Sequence, residues 1–240
     1  MTTLLIATRN AHKVREIRAI LGEQLRYLTL NDVPHAPGIV EDAATFSGNA
    51  IKKSVALAGW LSARPSQATA DPGGAGVFVL ADDSGLEVDA LGGAPGVMSA
   101  RFAACEPTGA ANSSDRANNA KLLRLLESVP SERRKARFRC VLALTPVQPR
   151  RRQNRSPVCY TDELELQTEL FEGACEGHLG FEPRGGGGFG YDPLFVPDGF
   201  RETFSELGES IKNRISHRAR ALAKLKERFT AIVRGEASRG

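Results

Sequence analysis

The sequence predicts a mixed α/β fold, and three observations carry that expectation. Short apolar runs alternate with segments of helical apolar spacing in the first half. Apolar runs then succeed one another in the second half, as pairing strands do, and 240 residues suffice to bury a sizeable core as one domain. No internal repeat is visible.

The first strand, Leu4-Leu5-Ile6-Ala7, turns sharply into a helix in which Val14, Ile17 and Leu21 recur at helical spacing. Asn10 is a natural N-cap, and the free backbone N–H groups of a helix start, with Thr8 and Lys13 beside them, make an anion site. A second strand precedes a helix capped by Thr45 or Ser47, its apolar side running through Ile51, Val55 and Ala58. Lys53 lies about two turns in, beyond capping reach, as either a solvated surface lysine or a phosphate ligand. The strand Val77-Phe78-Val79-Leu80 then empties into Asp82-Asp83-Ser84-Gly85. Adjacent carboxylates repel, so a cation or a proton-transfer task would retain them; the alternative is a turn built from Asp, Ser and Gly.

A hairpin-like excursion spans Leu86 to Leu91, followed by a helix rich in Leu122, Leu123 and Leu126 and by long strands beginning at Ala136 and Val158. Next come five glycines among the six residues Gly185 to Gly190, leading through Tyr191-Asp192-Pro193 into a short strand around Phe195. This is either a linker or a loop whose backbone approaches a ligand while Phe189 or Tyr191 stacks on a purine. In the C-terminal helix Ser216 reads as N-cap, with Leu222, Leu225, Phe229 and Ile232 on one face. His217 and Arg218 fall in its first turn, where positive charge opposes the helix dipole unless an anion or acceptor offsets it.

Taken in order, these segments resemble the non-canonical purine nucleoside triphosphate pyrophosphatases, the inosine/xanthosine triphosphatase family also called Ham1-like. The resemblance runs from about Leu4 to Leu225 through Ala7-Thr8-Arg9-Asn10 with Lys13 and Glu16, Thr45 to Ala50 with Lys53, Ala81 to Leu86 continuing through Gly92 to Arg101, Gly188 to Pro193, and Ser216-His217-Arg218. It implies a central sheet with two lobes around a nucleotide-binding cleft, a homodimer, and hydrolysis of ITP, dITP and XTP to monophosphate and pyrophosphate. It assigns Asp83 as general base and metal contact, Glu41 as the other metal acid, and Mg2+ as cofactor. The substrate-binding residues it implies are Thr8, Arg9, Asn10, Ala11, His12, Lys13, Lys53, Ser84 and Lys212 toward the triphosphate, and Phe189, Gly190, Tyr191, Asp192, His217 and Arg218 toward the base. The chain departs from the family pattern at Arg9, usually Gly, and at Gly48, usually Glu. Stretches 62–76 and 146–157 look like insertions and are expected to be mobile loops within one two-lobed domain spanning 1–240.

Three other readings stay open: a pyrophosphatase for modified pyrimidine nucleotides, a nucleotide sensor without turnover, and a nucleic-acid binder. The last rests on Arg133, Arg134, Lys135, Arg137, Arg139, Arg150, Arg151, Arg152 and Arg155, bunched within a chain of net charge +4. It ranks below the enzyme, because no aromatic-rich nucleic-acid motif accompanies the charge. No apolar run reaches membrane-spanning length, and polar Thr2-Thr3 leads straight into a strand, so no membrane partner is expected and cytoplasm is the expected compartment. Cys105, Cys140, Cys159 and Cys175 lack Cys-x-x-Cys spacing and are expected to be buried free thiols.

Overall fold

The computed structural model describes residues 1–64, 76–104, 112–148 and 163–233. Among them are six strands, β1 (Thr3–Ile6), β2 (Arg26–Thr29), β3 (Val77–Val88), β4 (Lys135–Pro146), β5 (Glu169–Leu179) and β6 (Phe195–Pro197). The helices are α1 (Ala11–Leu21), α2 (Phe46–Ala63), α3 (Asp115–Leu125), α4 (Glu163–Leu166), α5 (Phe204–Ile215) and α6 (His217–Val233), with short 3-10 turns between some of them. The hydrogen-bonded strand order is β2-β1-β3-β4-β5-β6. β1 runs parallel to β2 and β3, whereas β5 and β6 are antiparallel, so the sheet is mixed as expected.

The chain forms two compact units, residues 1–83, 141–171 and 226–240 in one and residues 84–140 and 172–225 in the other. β3 and β4 each pass from one unit into the other. In the first unit Leu5, Leu28, Val33, Leu57, Ala58, Leu61 and Val79 form one core. In the second, Leu86, Val88, Leu122, Phe138, Leu194, Phe195 and Phe204 are prominent in another, where the Phe138 ring meets Phe195 edge-on at 4.8 Å. Full burial of such a side chain contributes about 1.5–3 kcal/mol.

Three elements differ from expectation. β3 does not stop at Leu80 but continues to Val88, so Asp82 and Asp83 stand inside a strand and the turn reading fails. The excursion after Leu86 is correspondingly shorter, a 3-10 turn at Asp89–Leu91 with a bridge from Glu87 to Pro95. A helix, α5, precedes the expected C-terminal one; Thr203 and Glu206 cap its start reciprocally, a capping box that was present in the sequence. The start of the strand expected from Val158 lies outside the described residues, as do 65–75 and 149–157 of the two insertion-like stretches; the strand that is described begins at Glu169.

Candidate active site

In the first unit, β1 delivers the chain through Ala7 to Asn10, which caps α1 as expected: its Oδ1 accepts from the N–H groups of His12 at 2.9 Å and Lys13 at 3.2 Å. The Asn10 N–H in turn donates to Thr8 Oγ1 at 3.1 Å. Arg9, Asn10, Ala11 and His12 are exposed and Thr8 and Lys13 half-buried, leaving the first turn open to an anion. Ile17 and Leu21 bury the opposite stripe of α1.

Successive strand residues face opposite sides, so Asp82 and Asp83 diverge instead of repelling each other side by side. Asp82 Oδ1 accepts from Lys13 Nζ at 2.5 Å. Asp83 meets α2, where Thr45 caps the helix and Asn49 and Lys53, four residues apart, share a face. Asn49 Nδ2 donates to Asp83 Oδ2 at 3.2 Å and Lys53 Nζ to Asp83 Oδ1 at 3.3 Å. Lys53 Nζ also reaches Glu41 Oε2 at 2.8 Å and the Asp82 carbonyl at 2.9 Å. With 8 % of its surface exposed, Lys53 is not the solvated lysine that the sequence reading entertained; its bonds run to carboxylates within the unit.

The carboxyl that Asp83 faces is Glu41. Burial first, then the Glu41 charge and hydrogen bond, push Asp83 up to about 6 against the attraction of Lys53 and Lys13. Burial also works to raise Glu41, but the charge and hydrogen bond of Lys53 outweigh it and hold Glu41 below the usual carboxylate range. For Lys53, burial favours the neutral amine, yet Asp83, Glu41 and Asp82 hold it above its ordinary value. A proton-accepting carboxyl poised near neutrality, beside a second acid and an ammonium, is the pattern of a general base.

The second unit gathers the other set. Lys212, on α5, forms a buried ion pair with Asp192 Oδ2 at 2.6 Å, and the same oxygen accepts from the Phe189 N–H at 2.9 Å. Lys212 Nζ stands 4.3 Å from the centre of the half-buried Phe189 ring, and the Arg218 guanidinium carbon 5.9 Å from it. The glycine run is therefore no free linker. At Gly188, where φ is +78°, a Cβ would fall 2.3 Å from Asp192 Oδ2, so only glycine fits the bend. Tyr191 donates its hydroxyl to the Ser99 carbonyl at 2.9 Å, which ties the loop to the 3-10 turn Gly96–Arg101.

Ser216 caps α6 as expected, accepting from the Ala219 N–H at 3.1 Å. Of the two residues that follow, His217 stacks on Phe138 with rings 4.8 Å apart and 13° from parallel, and Arg218, almost wholly buried, donates to Ser84 Oγ at 2.9 Å. Three groups escaped sequence reasoning. Asn49 was visible as the residue one turn before Lys53. Asp115 and Asn119, likewise one turn apart on α3, bracket Gly190: Asp115 Oδ2 accepts from its N–H at 2.6 Å and Asn119 Nδ2 donates to its carbonyl at 2.9 Å.

A Ham1 family model matches residues 4–228 of the sequence. The chain belongs to the Ham1 family. Among relatives named dITP/XTP pyrophosphatase, the protein of Geobacter sulfurreducens is 45 % identical over 228 residues, covering 95 % of this chain and 96 % of that one. The protein of Opitutus terrae is 43 % identical over 229 residues, with 92 % and 96 % covered. The solved structure of a HAM1 protein from Coxiella burnetii superposes with a TM-score of 0.71 at 32 % identity, covering 96 % of this chain and 99 % of that one. The nucleoside-triphosphatase / dITP/XTP pyrophosphatase of Mycobacterium abscessus gives 0.63 at 34 % identity over 93 % and 98 %.

The two departures from the Ham1 pattern find local explanations. Arg9 needs no left-handed backbone, since no described residue other than glycine has positive φ, and its side chain is exposed. At Gly48 a Cβ would lie 2.8 Å from the Ala43 Cβ and 3.1 Å from Thr45 Oγ1, so this backbone closes over the position where the pattern places a glutamate. Where the arginine cluster is described, two of its members are paired with acids and a third is bonded to backbone carbonyls. Arg137 pairs with Asp89 and Glu176 at 3.0 Å, Arg139 with Glu172 at 3.2 Å, and buried Arg134 donates to the carbonyls of Leu126, Val129 and Gly180. Arg150, Arg151, Arg152 and Arg155 lie outside the described residues, with Cys105 and Cys159. Cys140 and Cys175 are buried free thiols, and burial pushes Cys175 up to about 11. No helix among the described residues is long and apolar enough to cross a membrane.

Proposed function

We propose that this Ham1-family chain hydrolyses ITP, dITP and XTP to the monophosphate and pyrophosphate, removing them from the nucleotide pool. One observation carries the chemistry: the buried carboxyl of Asp83, raised to about 6 and held by Asn49 and Lys53 beside Glu41. The substrate class is supported by the dITP/XTP pyrophosphatase names of its relatives. In the reaction a water oxygen attacks the α-phosphorus, the bond from that phosphorus to the α,β-bridging oxygen breaks, and pyrophosphate departs. Asp83 Oδ receives the proton of the attacking water.

The donor set suits a magnesium ion. Glu41 and Asp83 offer hard oxygen ligands already brought together around one ammonium, and Mg2+ is commonly bound by one or two carboxylates with water and substrate phosphates completing its shell. When bound, the ion would neutralise phosphate oxygens and polarise the attacked phosphorus. Lys53 balances the two acids, and Thr8, Asn10 and Lys13, with Arg9, Ala11 and His12 of the same turn, bind the triphosphate. Ser84 and Lys212 are assigned to the phosphates as well, Ser84 through the hydroxyl that Arg218 orients.

Base selection falls to Phe189, Gly190, Tyr191, Asp192, His217 and Arg218. Phe189 stacks on the purine, and Arg218 donates toward O6, a position where hypoxanthine and xanthine accept and adenine donates. Profiling a nucleotide panel tests this reading: kcat/KM for ITP, dITP and XTP should exceed that for ATP by about a hundredfold or more. Faster turnover of modified pyrimidine nucleotides would transfer the chain to the other pyrophosphatase class. A homodimer and a cytoplasmic location belong to the same proposal, checked by light scattering and by cell fractionation; a monomer mass would remove the first.

A further inference from the structure

In the second unit, both backbone polar groups of Gly190 are held by one helix, α3. Asp115 Oδ2 accepts from the Gly190 N–H at 2.6 Å, and Asn119 Nδ2 donates to the Gly190 carbonyl at 2.9 Å. The two side chains lie one turn apart on α3, so together they fix the peptides on either side of the glycine. Gly190 has φ +64°, and a Cβ built there would meet nothing within 4 Å, so the left-handed backbone and not crowding calls for glycine. A glycine loses more conformational freedom on being fixed than any other residue, which makes this bend the loosest joint of the loop if nothing holds it. Its neighbour is Phe189, the ring assigned to the purine.

The helix that does the holding is itself anchored. Asn118 Oδ1 accepts from the Ala103 N–H at 2.8 Å and its Nδ2 donates to the Ala100 carbonyl at 3.3 Å, which ties α3 to the turn that also receives the Tyr191 hydroxyl. Neither clamp residue is explained by the helix it stands on. The N-cap of α3 is already Ser114, whose Oγ accepts from the Ala117 N–H at 3.2 Å, so exposed Asp115 is not needed as a cap. Asn119 is 7 % exposed, and among the described residues its buried Oδ1 has no hydrogen-bond partner. A buried acceptor left unbonded is destabilising, so the amide weakens the packing of α3 while it holds Gly190.

We propose that Asp115 and Asn119 are positioning residues for the purine: they lock Gly190 so that the Phe189 ring stands ready to stack on the base. The proposal deepens the reading that the Phe189–Asp192 loop takes the base, and it rests on that reading. Gly190 then serves the base by the shape of its bend, since its N–H and carbonyl are both engaged by α3.

Steady-state kinetics of the full chain with dITP, arranged as a double-variant cycle, tests whether the clamp acts through the ring. Asp115→Ala should raise KM by about fivefold with kcat within about threefold of wild type. Phe189→Ala should raise KM by about tenfold or more, and adding Asp115→Ala to it should raise KM by no more than about twofold further, because no ring is left to position. Asp115→Asn keeps an acceptor oxygen and should hold KM within about twofold of wild type. Asn119→Leu removes the unbonded oxygen together with the donor, so it should raise KM as Asp115→Ala does while Tm stays within about 2 °C. Full additivity of Asp115→Ala and Phe189→Ala overturns the proposal. So does a KM that neither Asp115→Ala nor Asn119→Leu moves, or a loss of Tm and kcat at constant KM, which would mark a purely structural role. An unchanged KM in Phe189→Ala would sink the reading of the base loop and this proposal with it. Hydrogen exchange separates the two failures, since a Gly190 amide that exchanges no faster in Asp115→Ala than in wild type overturns the clamp alone.

Discussion

Replacing Asp192 with alanine should unfold the second unit far more readily than an ordinary surface change. The carboxylate is buried and serves two partners through one oxygen, Lys212 Nζ at 2.6 Å and the Phe189 N–H at 2.9 Å. Its removal takes that carboxylate away from an ammonium of which only 3 % is exposed. Breaking a buried ion pair from one side costs about 3–5 kcal/mol. At about 2–4 °C per kcal/mol for a chain of this size, Tm should fall by roughly 6–20 °C. The same magnitude should appear as a lower urea midpoint, with the slope of the transition unchanged. Lys212→Met in the Asp192→Ala background removes that charge and fills its space with apolar volume, so the double variant should regain at least about half of the loss. A Tm shift under about 2 °C for the single change would refute the reasoning. So would a double variant whose loss equals the sum of its two singles within about 0.5 kcal/mol, since the pair would then be uncoupled.

Five further outcomes follow from the two sites. Asp83→Asn should lower kcat by about a hundredfold or more with the fold intact; near-normal turnover of the folded variant would remove Asp83 from the mechanism. In the metal-free protein the Asp83 carboxyl should titrate near 6 by carbon NMR, and a value near 4 would contradict the placement beside Glu41. Between about pH 4 and 6 the folded state then binds more protons than the unfolded chain, so this group's contribution to stability is present below about 4 and lost as pH rises through about 6; Asp83→Asn should flatten that slope in a pH series of melts. Glu41→Gln should raise the Mg2+ concentration needed for half-maximal activity, and an unchanged metal titration would exclude Glu41 as a ligand. Arg218→Ala should reduce the ITP-to-ATP ratio of kcat/KM by about ten- to a hundredfold, whereas equal losses on both substrates would reassign Arg218 to the phosphates.

What was legible in the sequence was mostly local. The caps at Asn10, Thr45 and Ser216 depend on the few residues that follow each of them, and all three form as read. The apolar spacing of α1 and the alternation of the early elements likewise need no knowledge of distant partners. The roles of the charged residues were less legible, because they depend on which segments the fold brings together. Lys53 looks like a surface lysine until Glu41 and Asp83 are placed around it, and Lys212 gains Asp192 only when α5 packs against the glycine loop. The continuation of β3 past Leu80 was hidden because Asp, Asp, Ser and Gly favour turns in isolation. Here Lys13, Asn49 and Lys53 satisfy both carboxylates, and the strand passes through. Helix α5 was overlooked for a different reason: Gly208, at φ +76° and ψ 172°, interrupts its periodicity, although the Thr203 to Glu206 capping box marked its start.

The central claim, attack of water on the α-phosphorus with Asp83 as base, is tested most directly by hydrolysing dITP in ¹⁸O-labelled water and weighing the products. Label should enter only the monophosphate, with pyrophosphate unlabelled and no orthophosphate formed, and Asp83→Asn should slow release of both products equally. Label in the pyrophosphate, or release of orthophosphate in its place, would contradict the account.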